Sequence, residues 1–268
     1  MEDRILTSQE LARELSELPS QKFFRSGNKF LDELIGGFAE GDLIIVGGSP
    51  KAGKTTLLQT WTKQFAEQDI PCLWFSIELS NREFLGRFGD NLPIFWLPRV
   101  MPTTTTHQWL EKKILEAKLQ KDIKMVFIDH IGILTDEAMY RERNPVEILD
   151  ARLLRLKRFA LKNRICIICI APLVSTSLRK KKTEPSTSDF RGTAMVGYSA
   201  DTLMVLDRLA GANRTVTVNE EYSDVEALTG GIKISSDAYL YILDSRRTGV
   251  RKVRIKMLLG NDNNLTEV

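Results

Sequence analysis

Apolar residues along this chain follow two rhythms. "DLIIV" (42–46), "PCLWFSIE" (71–78), "IKMVFID" (123–129), "ICIICIA" (165–171) and "DTLMVLD" (201–207) are short, nearly continuous runs, the pattern of strands buried on both faces. Between them the spacing is helical. Leu57, Leu58, Trp61 and Phe65 mark a helix after a glycine-rich turn, "NREFLGRFGDNL" (81–92) and "HQWLEKKILEAKLQK" (107–121) read as two more, and another begins at Asn144. That last one has Pro145 in its first turn, Glu147 at the capping-box position and a stripe of Leu149, Leu153, Leu156 and Ala160. Strand followed by helix, repeated, predicts an α/β fold with a mostly parallel central sheet and helices on both faces. The last third changes rhythm. "AYLYILDS" and "KVRIKMLL" flank "RRTGVR", with Val253, Ile255 and Met257 alternating with Lys252, Arg254 and Lys256, which predicts an antiparallel hairpin at the C-terminal edge of the sheet.

Ahead of the first strand, "TSQELARELSEL" pairs Thr7 with Glu10 in a capping box and sets Leu11, Leu15 and Leu18 at helical spacing. We read residues 1–20 as a short amphipathic helix that packs on its own core or docks on a neighbouring subunit, and residues 21–268 as one domain. "STSLRKKKTEPSTSDFRGT" (175–193) is polar and basic, and reads as a loop.

Composition narrows this picture modestly. With 268 residues, 43% of them hydrophobic, the chain can bury one sizeable core. Its 38 basic and 35 acidic residues nearly balance, so it is not a uniformly basic nucleic-acid coat, and any polyanion must meet a local patch. No signal peptide and no run of about 18 apolar residues is present, which reads as a soluble, cytoplasmic protein without membrane contact. Cys166 and Cys169 form a "CIIC" pair that could suggest redox or zinc chemistry. They lie in a buried-strand run where residues three apart face opposite ways, so with Cys72 they read as core residues. His107 and His130 have no paired ligand spacing.

The chemistry gathers at the strand ends. Gly48, Gly53, Lys54 and Thr55 fit G-x-x-x-x-G-K-[ST] between a strand and a helix, so residues Gly48, Ser49, Pro50, Lys51, Ala52, Gly53, Lys54, Thr55 and Thr56 form a phosphate loop for a nucleoside triphosphate. Glycines let backbone N–H groups approach phosphate oxygens, the helix N-terminus adds partial positive charge, Lys54 reaches the terminal phosphates and Thr55 can hold Mg²⁺. The opposite half of the metal shell calls for an acid at another strand end, which Asp129 provides. Glu78 ends the strand "LWFSIE", where it serves either as a solvated loop acid or as the carboxylate that orients and deprotonates an attacking water.

The ordered set "KFLDELIGGFAEGDLIIVGGSPKAGKTTLL", "WFSIELSNREFLGRF", "MVFIDHIGIL", "SDFRGTAMVGYSAD" and "LDSRRTG" resembles the C-terminal RecA-like ATPase domain of DnaB-type replicative helicases, over about residues 24 to 257. The resemblance implies a RecA-like P-loop core that hydrolyses ATP with Mg²⁺, Glu78 as catalytic base and a hexameric ring. It also implies an arginine supplied from the adjacent subunit, matched best by Arg247 with Arg246 beside it. Arg179, Lys180, Lys181 and Lys182 fall where related ATPases carry central-channel loops for single-stranded DNA, and Arg191 and Gly192 match positions that contact the DNA backbone. Replication proteins are the partners implied.

The departures concern coupling. Gly132 stands where such helicases carry a Gln, Ala171-Pro172 where they carry Ser-Gln, and Gly197, Tyr198 and Ser199 replace acidic and amide residues. An amide can sense a terminal phosphate, and glycine and proline cannot. The helical N-terminal domain that precedes this module in the family has no match. Two expectations follow: a minimal ATP-driven DNA translocase or helicase, of a virus or mobile element, or a nucleotide-gated assembly or adaptor protein, akin to recombinase and clock-protein ATPases, that binds ATP and partners without unwinding.

Overall fold

A computed structural model describes residues 4–17, 20–134, 145–171, 173, 184–190, 195–208, 237–259 and 264–267. The strand runs become β3 (Leu43–Gly47), β4 (Cys72–Ser76), β5 (Met125–Asp129), β6 (Cys166–Ile170) and β7 (Thr202–Arg208), all parallel where they pair. The hairpin strands β8 (Asp237–Ser245) and β9 (Val253–Leu259) add antiparallel to β7, and β10 (Leu265–Glu267) adds to β9. Among the described residues this gives one eight-stranded sheet in the order β10-β9-β8-β7-β3-β6-β5-β4.

Period-two alternation divides the strand residues between two cores. Ile44, Val46, Trp74, Phe127 and Ile168 face one way and pack under α2 (Lys29–Ile35) and α3 (Lys54–Glu67), with Leu31, Leu57, Trp61 and Phe65. Leu43, Ile45, Phe75, Val126 and Ile128 face the other and meet Leu110 and Ile114 of the helix His107–Lys121, and Leu149, Leu153, Leu156 and Ala160 of the helix Pro145–Asn163. Cys166 lies in the first core and Cys169 in the second, as the spacing predicts, and burial raises all three thiols well above their usual range. Buried indoles are satisfied: Trp61 donates to Asn28 Oδ1 and Trp74 to Thr62 Oγ1, each at 2.8 Å.

Several local expectations change. The helix expected over 81–92 is only Asn81–Gly86, capped by Ser80 and followed by turns, because Gly86 and Gly89 interrupt it before Pro93. Glu78 lies two residues beyond β4 rather than ending it. Two short strands, β1 (Phe23–Phe24) and β2 (Phe38–Ala39), form a separate pair, and neither they nor β10 are visible in the hydrophobic pattern. The free edge of β4 is met by Trp96, which exchanges hydrogen bonds with it: Trp74 N to Trp96 O at 2.8 Å and Trp96 N to Cys72 O at 2.9 Å.

The Thr7–Glu10 box forms, Thr7 N donating to Glu10 Oε2 at 2.8 Å and Glu10 N to Thr7 Oγ1 at 3.3 Å. It starts α1 (Ser8–Glu17), which buries none of its residues and leaves Leu11 and Leu15 about half exposed. Leu18, the third position of the stripe, lies outside the described residues. Pro172, the basic run Arg179–Lys182, and Arg191 and Gly192 lie outside the described residues.

Candidate active site

Parallel strands bring their carboxyl ends to one rim, and the loops leaving β3, β4 and β5 meet there. After β3 the chain turns sharply into α3. Gly48 (φ +151°) passes so close to β7 that a Cβ there would sit 2.2 Å from Leu206 O, and Gly53 (φ +102°) turns the chain into the helix. The residue at the start of α3, Gly53, offers no side-chain cap to the helix's first N–H groups. A Gly48→Ala substitution imposes both the clash and backbone strain of order 1–3 kcal/mol. Drawn from binding, that weakens nucleotide affinity roughly ten- to a hundredfold, measurable by titration with a fluorescent nucleotide. Unchanged affinity would show that the loop does not need this close approach.

Gly48, Lys54, Thr55, Glu78, Asp129 and His130 line one cleft of about 500 Å³. Lys54 Nζ donates to the carbonyls of Gly48 at 3.0 Å and Ser49 at 2.9 Å, folded over the loop that it would share with phosphates. Burial holds this ammonium below the usual lysine range, against the pull of Asp129 and Glu78. Ser49 Oγ donates to Asp207 Oδ1 at 3.1 Å, tying the loop to β7. Thr55 Oγ1 donates to Asp129 Oδ2 at 2.6 Å, two strands away from its own in the sheet. Burial pushes the Asp129 carboxyl above its ordinary range, with the Thr55 hydrogen bond opposing and Glu78 adding to the rise.

These two oxygens fit Mg²⁺, a hard cation that takes few protein carboxylates and keeps water and phosphate ligands. Among the described residues no group of three or more His, Cys, Asp or Glu side chains could hold a metal alone.

Glu78 is brought to the cleft by a backbone tie between neighbouring strand ends, Ile77 N donating to Asp129 O at 2.9 Å. Its carboxylate is half exposed, and Oε1 lies 2.7 Å from His130 Nε2. Sequence reasoning passed over His130 because it looked only for metal-ligand spacing, and it passed over Arg87, which also lines the cleft. The signal available for His130 was its place, directly after the acid that ends β5.

Arg246 and Arg247 are not brought to this rim. Ser245 pairs with Thr202 at the start of β7, which places the turn after β8 at the opposite, amino end of the parallel strands, roughly 17 Å from the phosphate loop by the length of β3. There Arg247 Nη2 donates to both oxygens of Asp42 at 2.7 and 2.6 Å, Nη1 donates to Gly37 O at 2.7 Å, and the guanidinium stacks 5.0 Å from the Phe23 ring centre. Arg246 donates to the carbonyls of Gly197 and Tyr198. Tyr198 itself is 69% exposed, whereas Ser199 is buried.

A family model described as the DnaB-like helicase C terminal domain matches residues 24–90 and 100–260. Replicative DNA helicase DnaB of Treponema pallidum is 25% identical over 212 residues, 68% of this chain and 47% of that protein, and its counterpart in Mycoplasma pneumoniae is 25% identical over 248 residues, 76% and 52%. DNA repair protein RadA of Campylobacter jejuni is 32% identical over 132 residues, 48% of this chain and 28% of that protein. The chain thus spans about half the length of the curated helicases it matches. Among solved structures, an ATPase domain aligns over 97% of this chain and 96% of its own with a TM-score of 0.73 at 14% identity. A DnaB-like replicative helicase, solved to show its interactions with primase, aligns over 98% and 67%, also with a TM-score of 0.73 at 14% identity. At that identity the structural likeness establishes the RecA-like fold.

Proposed function

The chain belongs to the DnaB-like helicase C-terminal domain family, and from that premise we propose that it is an ATP-hydrolysing, ring-forming DNA translocase or helicase acting on single-stranded DNA. The observation that carries this reading is the convergence of Lys54, Thr55, Asp129 and Glu78 on one cleft at the carboxyl rim of the sheet.

In this reading the phosphate-loop N–H groups and Lys54 bind the phosphate chain, and Thr55 with Asp129 orient the metal shell. Glu78 accepts a proton from water attacking the terminal phosphate. Mg²⁺, when bound with the nucleotide, neutralises charge on the phosphate oxygens. Asp129, already buried and paired with Thr55, needs only a small movement to exchange that hydroxyl hydrogen bond for a shared cation.

Arg247 is roughly a strand's length from its own phosphate loop, so a role for it in hydrolysis belongs to the site of an adjacent copy, which supports an oligomer and, by family, a hexameric ring. The exposed Leu11 and Leu15 of α1 support docking of residues 1–20 on a neighbouring subunit, beside an ATPase domain of residues 21–268. Arg179, Lys180, Lys181, Lys182, Arg191 and Gly192 supply the DNA contacts by phosphate neutralisation, so binding weakens with salt. Replication proteins, primase among them, are the partner class, and the cytoplasm is the compartment. Among the described residues no helix is long and apolar enough to cross a membrane.

The deciding assay is steady-state ATP hydrolysis with and without single-stranded DNA, beside Lys54→Ala. We expect DNA to raise the wild-type rate, the increase to shrink as salt rises, and Lys54→Ala to be inactive in both. Hydrolysis indifferent to DNA, together with no DNA binding, would replace the motor by a nucleotide-gated adaptor.

A further inference from the structure

His130 sits between two fixed points. On one side, Gly132 N–H donates to His130 Nδ1 at 2.9 Å, closing the 3₁₀ turn Ile131–Ile133 that His130 caps. On the other, His130 Nε2 lies 2.7 Å from Glu78 Oε1. The turn is itself held from behind, where Arg152 of the helix Pro145–Asn163 donates to the carbonyls of Ile131 and Gly132 at 3.4 and 3.3 Å and to that of Leu134. A neutral imidazole carries one proton. With Nδ1 accepting from Gly132, that proton is on Nε2, aimed at the carboxylate.

We propose that His130 is the positioning residue for Glu78: Nε2–H donates to Oε1, fixes the carboxylate plane, and leaves Oε2 to take the proton from the attacking water. The proposal rests on Glu78 being the base. Nearly half of the Glu78 side chain is exposed, so without this donor its rotamers spread over the mouth of the cleft, and geometry a fraction of an ångström from the productive one is costly to rate.

Two conservative variants separate the two ends of the ring. His130→Asn keeps an oxygen near the Nδ1 position for Gly132 N–H but has no donor that reaches Glu78. His130→Gln extends an amide N–H to the Nε2 position. We expect His130→Asn to lower kcat for ATP hydrolysis roughly ten- to a hundredfold, with KM for ATP within about twofold because the phosphate loop is untouched. His130→Gln should recover most of that loss, and His130→Asn, which keeps the Gly132 contact, should unfold at the wild-type temperature. On a Glu78→Gln background, His130→Asn should cause no further loss. If Glu78→Gln is slow while His130→Asn keeps wild-type kcat, or if Asn and Gln variants are equally slow, the positioning role is wrong and the base stands. If Glu78→Gln hydrolyses at the wild-type rate, or the wild type does not hydrolyse ATP at all, the base itself is wrong and this proposal goes with it.

Discussion

Replacing Glu78 by Gln is expected to lower kcat for ATP hydrolysis by about 10²–10⁴-fold while leaving nucleotide affinity nearly unchanged. The change is isosteric, and the Gln carbonyl can still accept from His130 Nε2–H, so the geometry at the strand ends persists. What disappears is an oxygen basic enough to take a proton from water. In the proposed site, affinity would come from Lys54, Thr55 and the backbone N–H groups of the glycine-rich turn, none of which touches Glu78 in the described hydrogen bonds. Stability should hold too, because a half-exposed carboxylate contributes little to the fold. The measurement is a single-turnover hydrolysis rate paired with a nucleotide titration on the same preparation. A variant that binds normally and hydrolyses at the wild-type rate removes Glu78 from the mechanism; one that fails to bind assigns it to the phosphate site instead.

Arg247→Ala is expected to destabilise the fold by about 3 kcal/mol, the low end for breaking a buried ion pair because the guanidinium keeps some water contact. Asp42 has only 7% of its side chain exposed, and Arg247 is the cation hydrogen-bonded to it. Burial already pushes the Asp42 carboxyl above its ordinary range, and the Arg247 hydrogen bonds and charge are the main forces opposing that. Without them the folded-state value rises further. A carboxyl whose folded pKa is above its unfolded one costs stability when ionised, so the cost is full above the folded pKa and fades as pH falls toward the unfolded value. The deficit of Arg247→Ala against wild type should therefore be smaller near pH 5 than near pH 8 in urea unfolding. Adding Asp42→Asn should recover much of it, since removing both partners leaves no unpaired charge. A deficit that is independent of pH and unchanged by Asp42→Asn would show that the pair is not the source.

The same pair governs how loss of activity in Arg247 variants is interpreted. An inactive Arg247→Ala protein is expected from a weakened amino-end clamp as well as from a missing charge in a neighbour's site. Mixing Arg247→Ala with Lys54→Ala subunits separates these. Hydrolysis returns in the mixture only if an intact Arg247 on one subunit completes the intact phosphate loop of another.

The central strands were legible because burial on both faces leaves uninterrupted apolar runs, and their alternation correctly assigned Cys166 and Cys169 to opposite cores. The sharp turn from β3 into α3 was legible because Gly48, Gly53 and Lys54 lie within seven residues of one another. Strands of two or three residues, β1, β2 and β10, carry too few positions for a period to register. Helix 81–92 was drawn too long because Phe84 and Phe88 keep helical spacing across Gly86, where the backbone leaves the helix. The Glu78–His130 contact depends on a backbone tie between two strand ends, and the Asp42–Arg247 pair closes across 205 residues, so neither leaves a local pattern. Topology held a clue to the second: a residue just before the first parallel strand and a turn after an antiparallel neighbour must share the amino end of the sheet.

Trp96 settles a question of self-association. An open sheet ends in strands whose unmatched amides invite another chain to add on, the route to runaway stacking of sheets. At Cys72 and Trp74 those valences are already taken by Trp96. Addition of another chain through the backbone is thereby blocked at these two positions, and the edge of the sheet is closed by its own loop before any second copy can reach it there.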